Sequence, residues 1–365
     1  MMFLTIISCN ENRNKKKSSK TENTIIEGIM PNLPDGTMYL WEEGPDNKID
    51  SCTTVNGKFK ISHRWSSNEE PNYIGLFHFD KNGIKRVFNF KTNALYKGKG
   101  WSVNVFYPDS LIVINGKFIE DSPIEGFVIP NNIKSFTGPL DKFGKQTEAF
   151  FNIDGDLFEK IDNNTYLIVK EKLAKYPYSY HLLYKIDENK NSFTANQVKE
   201  FLGLFKGEIT QSKTYKNLYS YNEKRFNAQN IAVPQLSNQS NIKTNIIDKK
   251  HQKHLLVFWA SWCGPCRQEI PMLKKVHSAF GQEVEFVSIS IDEDKNLWQK
   301  ALQEEKMNWK QLIISNNPAE KEALQIHFKL NSAVPYTVLV DDNLKILSSS
   351  TGLSNEKELE KLFVK

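Results

Sequence analysis

The sequence predicts a multidomain chain: an N-terminal antiparallel β-sandwich or barrel, an α-helical middle segment and a C-terminal α/β layer. Three observations predict it. Residues 24–120 alternate short apolar runs with turn residues. Residues 121–232 space their apolar residues by three and four. From residue 233 onward, β-branched runs alternate with amphipathic helical stretches. A chain of 365 residues is long for one core, and 39% hydrophobic residues argue against wholesale disorder.

Residues 1–23 stand apart. "MMFLTIISCN" is apolar up to Cys9, and "NENRNKKKSSKTEN" is polar throughout. Ile6-Ile7-Ser8-Cys9 resembles a bacterial lipobox, which makes Cys9 the expected lipidation site and the polar stretch a flexible tether. The competing reading is a ragged apolar start with a chance cysteine. A lipid would anchor the chain to a membrane without spanning it. No run approaches eighteen apolar residues, so no spanning helix is expected. The formal charge of +5 owes much to Lys15–Lys17. There is no basic stripe with interleaved aromatics, which argues against nucleic acid as a partner.

Across 24–120, "NTIIEGIM", "MYLWEEG", "TTVNGKFKIS" and "GWSVNVFYPDSLIVINGKFIE" read as strands. Asn-Gly steps at Asn56, Asn82 and Asn115 predict tight hairpins, because both residues tolerate positive φ. No His, Asp or Glu cluster at ligand spacing marks a site there, and Cys52 reads as a single thiol among strands. Across 121–232, "FFNIDGDLFEKI", "TYLIVKEKLAKY", "SYHLLYKID" and "ANQVKEFLGLFKGEI" carry helical apolar faces, with Asn191-Ser192 ahead of one helix. No catalytic constellation appears in either part.

From 233, "HLLVFWA" is a buried-strand run that leads into "SWCGPC" and the amphipathic "RQEIPMLKKVHSAF". "VEFVSISI" and "WKQLIIS" are further strands, "NLWQKALQEEKM" and "AEKEALQIHF" helices. "YTVLVDD" and "KILSSS" form a hairpin around Asp342-Asn343, and "EKELEKLFVK" closes the chain as a helix.

Cys263 and Cys266 sit where a strand ends and a helix begins. Outward-pointing backbone N–H groups there favour a thiolate on the first cysteine. Cys263 is the expected exposed nucleophile. Cys266, one turn on, can resolve a mixed disulfide. Pro265 stiffens the first turn, where no N–H is needed, and Gly264 leaves the sulfurs approachable. A zinc site needs four ligands, and the sequence offers one pair, so no metal is expected. A purely structural bridge over three residues would constrain little. The frame of a peroxidase, a single peroxidatic cysteine with a nearby Thr, is absent. Electron transfer through the pair remains.

"VFWASWCGPCRQEIP" resembles the active site of the thioredoxin superfamily, in particular the TlpA/ResA-like thiol:disulfide reductases of the bacterial envelope. The resemblance covers about 233–365. The order of parts resembles Bacteroidetes envelope lipoproteins, on weaker motifs. It implies a thioredoxin-like fold, with Cys263 and Cys266 as the only redox group and no further cofactor. It makes Pro335 the cis-proline facing the cysteines, and sets a substrate groove at Trp262, Gly264, Pro265 and Val334. It makes Glu269 the acid that exchanges a proton with Cys266, against the alternative of a first-turn acid favoured by the helix dipole. Pro271 matches a structural proline in the helix.

The chain departs from the pattern in three places. Val257 stands where cytoplasmic thioredoxins carry a buried Asp. Tyr336 follows Pro335 where Thr is usual. The segment "VPQLSNQSNIKTNIIDKKHQKH" is a poor version of the family's leading hairpin.

The resemblance implies disulfide-containing protein substrates, a membrane electron donor and a place in the periplasm or cell envelope. Gly-Pro between the cysteines is similar to reducing thioredoxins, with potentials near about −270 mV. Reduction of apocytochrome c thiols is the expected role, but the dipeptide alone leaves oxidase or isomerase chemistry open. A different class also stays open: a lipoprotein that mainly binds a glycan or partner through its β and helical regions.

Overall fold

The computed structural model describes residues 23–66, 69–122, 130, 132–228, 231–353 and 355–363. Cys9 and all of the expected anchor and tether except Asn23 lie outside these residues. The chain divides into two compact units, 1–155 and 156–365.

In the first unit, β1 (Asn23–Ile29), β2 (Gly36–Glu42), β3 (Lys48–Thr54), β4 (Lys58–Arg64), β5 (Ile74–Asp80) and β6 (Lys85–Tyr96) are followed by five shorter strands. These are β7 (Lys99–Val103), β8 (Val105–Phe106), β9 (Leu111–Asn115), β10 (Ile119–Glu120) and β11 (Ile133–Gly138). One sheet has the order β4-β1-β9, and the other β10-β11-β6-β5-β2-β3. The β-rich expectation holds, with one correction: the sheets are mixed, since β1 and β9 run parallel, as do β6 and β11. Period-two patterning sets the faces. Along β1, Thr24, Ile26 and Gly28 are buried while their neighbours are not. Gly28 is required by close approach, because a Cβ there would lie 2.0 Å from the Ile114 carbonyl oxygen.

The three Asn-Gly steps diverge. Asn56 and Gly57 both take positive φ, 51° and 73°, and make the tight turn between β3 and β4. At Asn82-Gly83 only the glycine is left-handed, within the β5–β6 turn. Asn115-Gly116 ends β9, and the chain crosses to the other sheet instead of returning beside it.

The expected boundary at residue 120 falls inside this unit. Strand β11 pairs with β6 over Ile133–Gly138, and helix α1 (Lys145–Phe151) sets Phe150 against Tyr73, Trp101 and Tyr107. The apolar residues around 150 read as a helical linker in the sequence; here they complete an aromatic core.

The second unit opens with α2 (Asn163–Lys175), α3 (Tyr180–Glu188), α4 (Ala195–Leu204) and α5 (Lys213–Arg225). Side-chain caps start each of them: Asp162, Ser179, Thr194 and Ser212. Helix α4 is thus capped by Thr194, reciprocally with Gln197, and not by the expected Asn191-Ser192, which lie in the preceding turn.

Then come β12 (Leu236–Asn238), β13 (Lys243–Thr244), β14 (Lys253–Trp259), α6 (Gly264–Phe280), β15 (Val284–Ser290), α7 (Lys295–Glu305), β16 (Lys310–Ile313), α8 (Pro318–Phe328), β17 (Tyr336–Asp341), β18 (Ile346–Thr351) and α9 (Glu356–Phe363). The sheet order is β13-β12-β16-β15-β14-β17-β18, parallel at its centre and antiparallel at both sides. The poorly matched leading segment does form a hairpin, Leu236 opposite Thr244.

Strand β14 is the axis. Leu255, Val257 and Trp259 join a core with Ile270 and Leu273 of α6, Trp298 of α7 and Leu359 of α9. Leu256 and Phe258 join another with Leu324 and Phe328 of α8. Helices therefore cover both faces, as the alternation of elements predicts. Among the described residues no helix is long and apolar enough to cross a membrane.

Candidate active site

Strand β14 delivers its chain end, Ala260–Trp262, to the start of α6. The turn is held by one buried carboxylate. Asp292, just past β15, accepts from the Ser261 N–H at 2.9 Å and from the Ser261 hydroxyl at 2.6 Å. The Ser290 hydroxyl donates to it at 2.6 Å. Ile291 N–H adds a bond to Trp259 O at 2.9 Å. The loop before the cysteines is thereby pinned to the neighbouring strand before any chemistry occurs.

Cys263 is the N-cap of α6, with Pro265 in the first turn. The pair is bonded, Cα to Cα 5.3 Å, and the Cys266 N–H donates to Cys263 Sγ at 3.2 Å. Cys263 is not exposed as expected: it shows 5% of its surface and Cys266 2%. The cover comes from the facing loop, where the Val334 carbonyl oxygen lies 3.7 Å from Cys263 Sγ. Exposure falls instead on the flanking Trp262 (65%), Gly264 and Pro265. The Val334–Pro335 peptide is cis. Tyr336 points its hydroxyl away, donating to Phe328 O at 3.0 Å.

Glu269 is buried one turn beyond Cys266. Residues three apart on a helix bring their Cβ atoms to about 5–6 Å. Oε1 of Glu269 accepts from the Leu353 N–H at 2.6 Å, and Oε2 is buried without a partner. Burial raises its pKa above the usual carboxylate value, and the Leu353 bond only partly offsets this. A buried carboxyl with an unpartnered oxygen is suited to holding a proton. Val257 packs in the same core as Cys266, so strand β14 offers no carboxylate there. Arg267 is turned to α7, donating to Glu305 and Glu304 at 2.7 Å each. Pro271 lies inside α6.

The expected groove residues separate. Trp262 borders a cavity of about 580 Å³ with Ile291, Leu297, Ile314 and Leu330, and with Asp294 at its edge. Gly264, Pro265 and Val334 lie outside that lining; Val334 faces the sulfur instead. Sequence reasoning missed Asp292 and the serines that bind it. Part of their signal was present: Ser290 and Asp292, in "SISID" at the carboxyl end of a buried strand, where unpaired polar groups are costly, while Ser261 lies remote in sequence beside the cysteines. Among the described residues no group of three or more His, Cys, Asp or Glu is placed to hold a metal ion.

Residues 252–346 match a family model described as thioredoxin-like. This stretch is a thioredoxin-like domain. Over 55 residues, 15% of the chain, it is 38% identical to the thioredoxin-like protein YneN of Bacillus subtilis, covering 32% of that protein. Over 37 residues, 10% of the chain, it is 51% identical to thioredoxin of Rhodospirillum rubrum, covering 36% of it. The chain thus spans about a third of the length of these relatives. Among solved structures it is similar to the thioredoxin domain of a thiol-disulfide oxidoreductase from Bacteroides vulgatus. That match has 24% identity and a TM-score of 0.31, over 37% of this chain and 99% of that one. The thioredoxin-like domain carries both cysteines, Glu269 and Pro335.

Proposed function

We propose that the protein is a thiol:disulfide oxidoreductase that reduces disulfides of protein substrates. The observation that carries this reading is the Cys263–Cys266 disulfide at the start of α6, with the Val334 carbonyl against its first sulfur. The reduced Cys263 thiolate attacks a substrate disulfide, forming a mixed disulfide and releasing one substrate sulfur as a thiolate that takes a proton. Glu269 accepts the proton of Cys266, whose thiolate attacks the Cys263 sulfur of the mixed disulfide and expels the second substrate sulfur as a thiolate, which takes up that proton. Two electrons have passed to the substrate, and the protein holds the disulfide. A membrane dithiol donor returns it to the reduced state. The chemistry requires no cofactor beyond the pair.

The finer reading is a lipid-anchored envelope protein that reduces the disulfide of apocytochrome c to its two thiols before haem attachment. The lipobox-like Ile6–Cys9 and the Gly-Pro dipeptide support it. The test is the reduction potential of the pair in glutathione or dithiothreitol buffers. A value below roughly −230 mV supports a reductase. A value near about −120 mV belongs to a strong oxidant and overturns that direction.

A further inference from the structure

Asn191 lies in the turn between α3 and α4 and is 7% exposed. Its sequence neighbours belong to the helical segment, yet its partners lie far along the chain. Nδ2 is 2.9 Å from Leu330 O and 3.2 Å from Gln325 O. The Tyr221 hydroxyl donates to Oδ1 at 3.0 Å. Nδ2 also lies 2.7 Å from the Tyr221 hydroxyl, so its two N–H groups are shared among that oxygen and the two carbonyls. The backbone N–H of Asn191 donates to Oδ1 of Asn331 at 2.9 Å. Asn331 Nδ2 in turn donates to the Ser192 hydroxyl at 2.7 Å. The turn that presents Asn191 is itself fixed. Arg225 of α5 donates to Lys190 O at 2.9 Å and to Phe193 O at 2.6 Å.

The loop so gripped has two tasks. Leu330, Asn331 and Ser332 line the cavity beside Trp262. Two residues later the Val334 carbonyl meets Cys263 Sγ. A shift of the loop at Asn331 therefore changes both the cavity and the approach to the reactive sulfur.

We propose that Asn191 and Asn331 form a latch through which the helical segment positions the 330–334 loop, making α3–α5 part of the substrate-recognition apparatus. The proposal rests on the dithiol-exchange reading above. Asn191 contacts neither sulfur, so it is a positioning residue that acts through the loop.

The test compares the full chain with Asn331→Ala, Asn331→Asp, Asn191→Ala and Lys224→Ala. The assays are reduction of insulin, reduction of the small disulfide 5,5′-dithiobis(2-nitrobenzoic acid), and the melting midpoint. Asn331→Ala is expected to raise KM for insulin about tenfold, with kcat and the small-disulfide rate changed by less than about twofold. Asn331→Asp keeps the acceptor for the Asn191 N–H and restores most of the loss. Lys224→Ala removes the exposed ion pair to Glu322 of α8, 2.5 Å long, and leaves both rates unchanged. Where Asn191→Ala does not fold, Asn331→Ala decides. Unchanged insulin kinetics in Asn331→Ala overturn the latch, as does an equal loss on both substrates that tracks the melting midpoint. A full chain that reduces neither substrate overturns the exchange reading and the latch with it. A full chain that reduces both, matched by Asn331→Ala, overturns the latch alone.

Discussion

The carbonyl oxygen of Val334 stands 3.7 Å from Sγ of Cys263. The two sulfurs are thus distinguished by their surroundings. Cys263 faces a loop, at the edge marked by exposed Trp262, Gly264 and Pro265. Both cysteines belong to the core with Ile270 and Leu273, and Cys266 lies inside α6 where Cys263 only caps it.

This asymmetry predicts which variant traps substrate. Cys266→Ser leaves the attacking sulfur without a resolver and accumulates a mixed disulfide with a protein substrate. Cys263→Ser accumulates none. Non-reducing electrophoresis after acid quench and alkylation distinguishes them; equal trapping by both variants would contradict the assignment.

Glu269 predicts a pH dependence of stability. Its pKa is raised by burial, so the folded state holds its proton more tightly than the unfolded chain does. The resulting stabilisation is fully present below the unfolded value of 4.5 and is lost as pH rises through the raised folded value. Glu269→Gln keeps an acceptor for Leu353 N–H and does not titrate. Its melting midpoint is expected to gain on the unaltered protein as pH climbs above about 4.5. Parallel stability curves for the two proteins would refute this. Insulin reduction by Glu269→Gln is expected to slow by about 10²-fold, the low end of what a positioned proton carrier contributes.

The fold was legible in the sequence where one physical signal dominated. The buried run of β14 and the amphipathic α6 follow from residue type alone. The expected cut at residue 120 failed because Ile133–Gly138 is short and pairs with a strand almost fifty residues earlier, and such pairing leaves no local mark. In the site, Cys263, Cys266 and Pro335 could be placed from a motif. The burial of Cys263 could not, because its cover is the Val334 loop, remote in sequence. Asn191 does lie ahead of a helix, as its sequence suggests, but the partners its amide serves beyond residue 320 leave no local mark.

Asp292 predicts a loop defect. Asp292→Ala strips the Ser261 N–H and hydroxyl and the Ser290 hydroxyl of their acceptor. Buried donors left unpaired cost about 1–3 kcal/mol each before relaxation, so a loss of about 3 kcal/mol is expected. Asp292→Asn keeps one acceptor oxygen and loses about half of that. Urea denaturation measures both; a loss under about 1 kcal/mol for Asp292→Ala would show that water replaces the carboxylate.

His181 predicts acid sensitivity in the helical segment. It is buried in α3, and burial pushes its pKa down from 6.5 to about 3. A depressed histidine contributes stability above the unfolded value, and that stability is lost as pH falls from 6.5 towards about 3. His181→Gln removes this proton uptake and flattens the stability curve between those limits. A variant with the same acid slope as the parent would place the sensitivity elsewhere.

The alternation along β14 has a consequence for how substitutions combine. Leu255 and Leu256 are bonded neighbours, yet they pack in different cores, one under α6 and α9, the other under α8. Truncating both opens two separate cavities, so their losses are expected to add more nearly than those of a pair within one core. Leu255 and Leu359, far apart in the chain, share a core, and their losses should interact. Genetic distance and energetic kinship therefore run in opposite directions at the centre of this molecule.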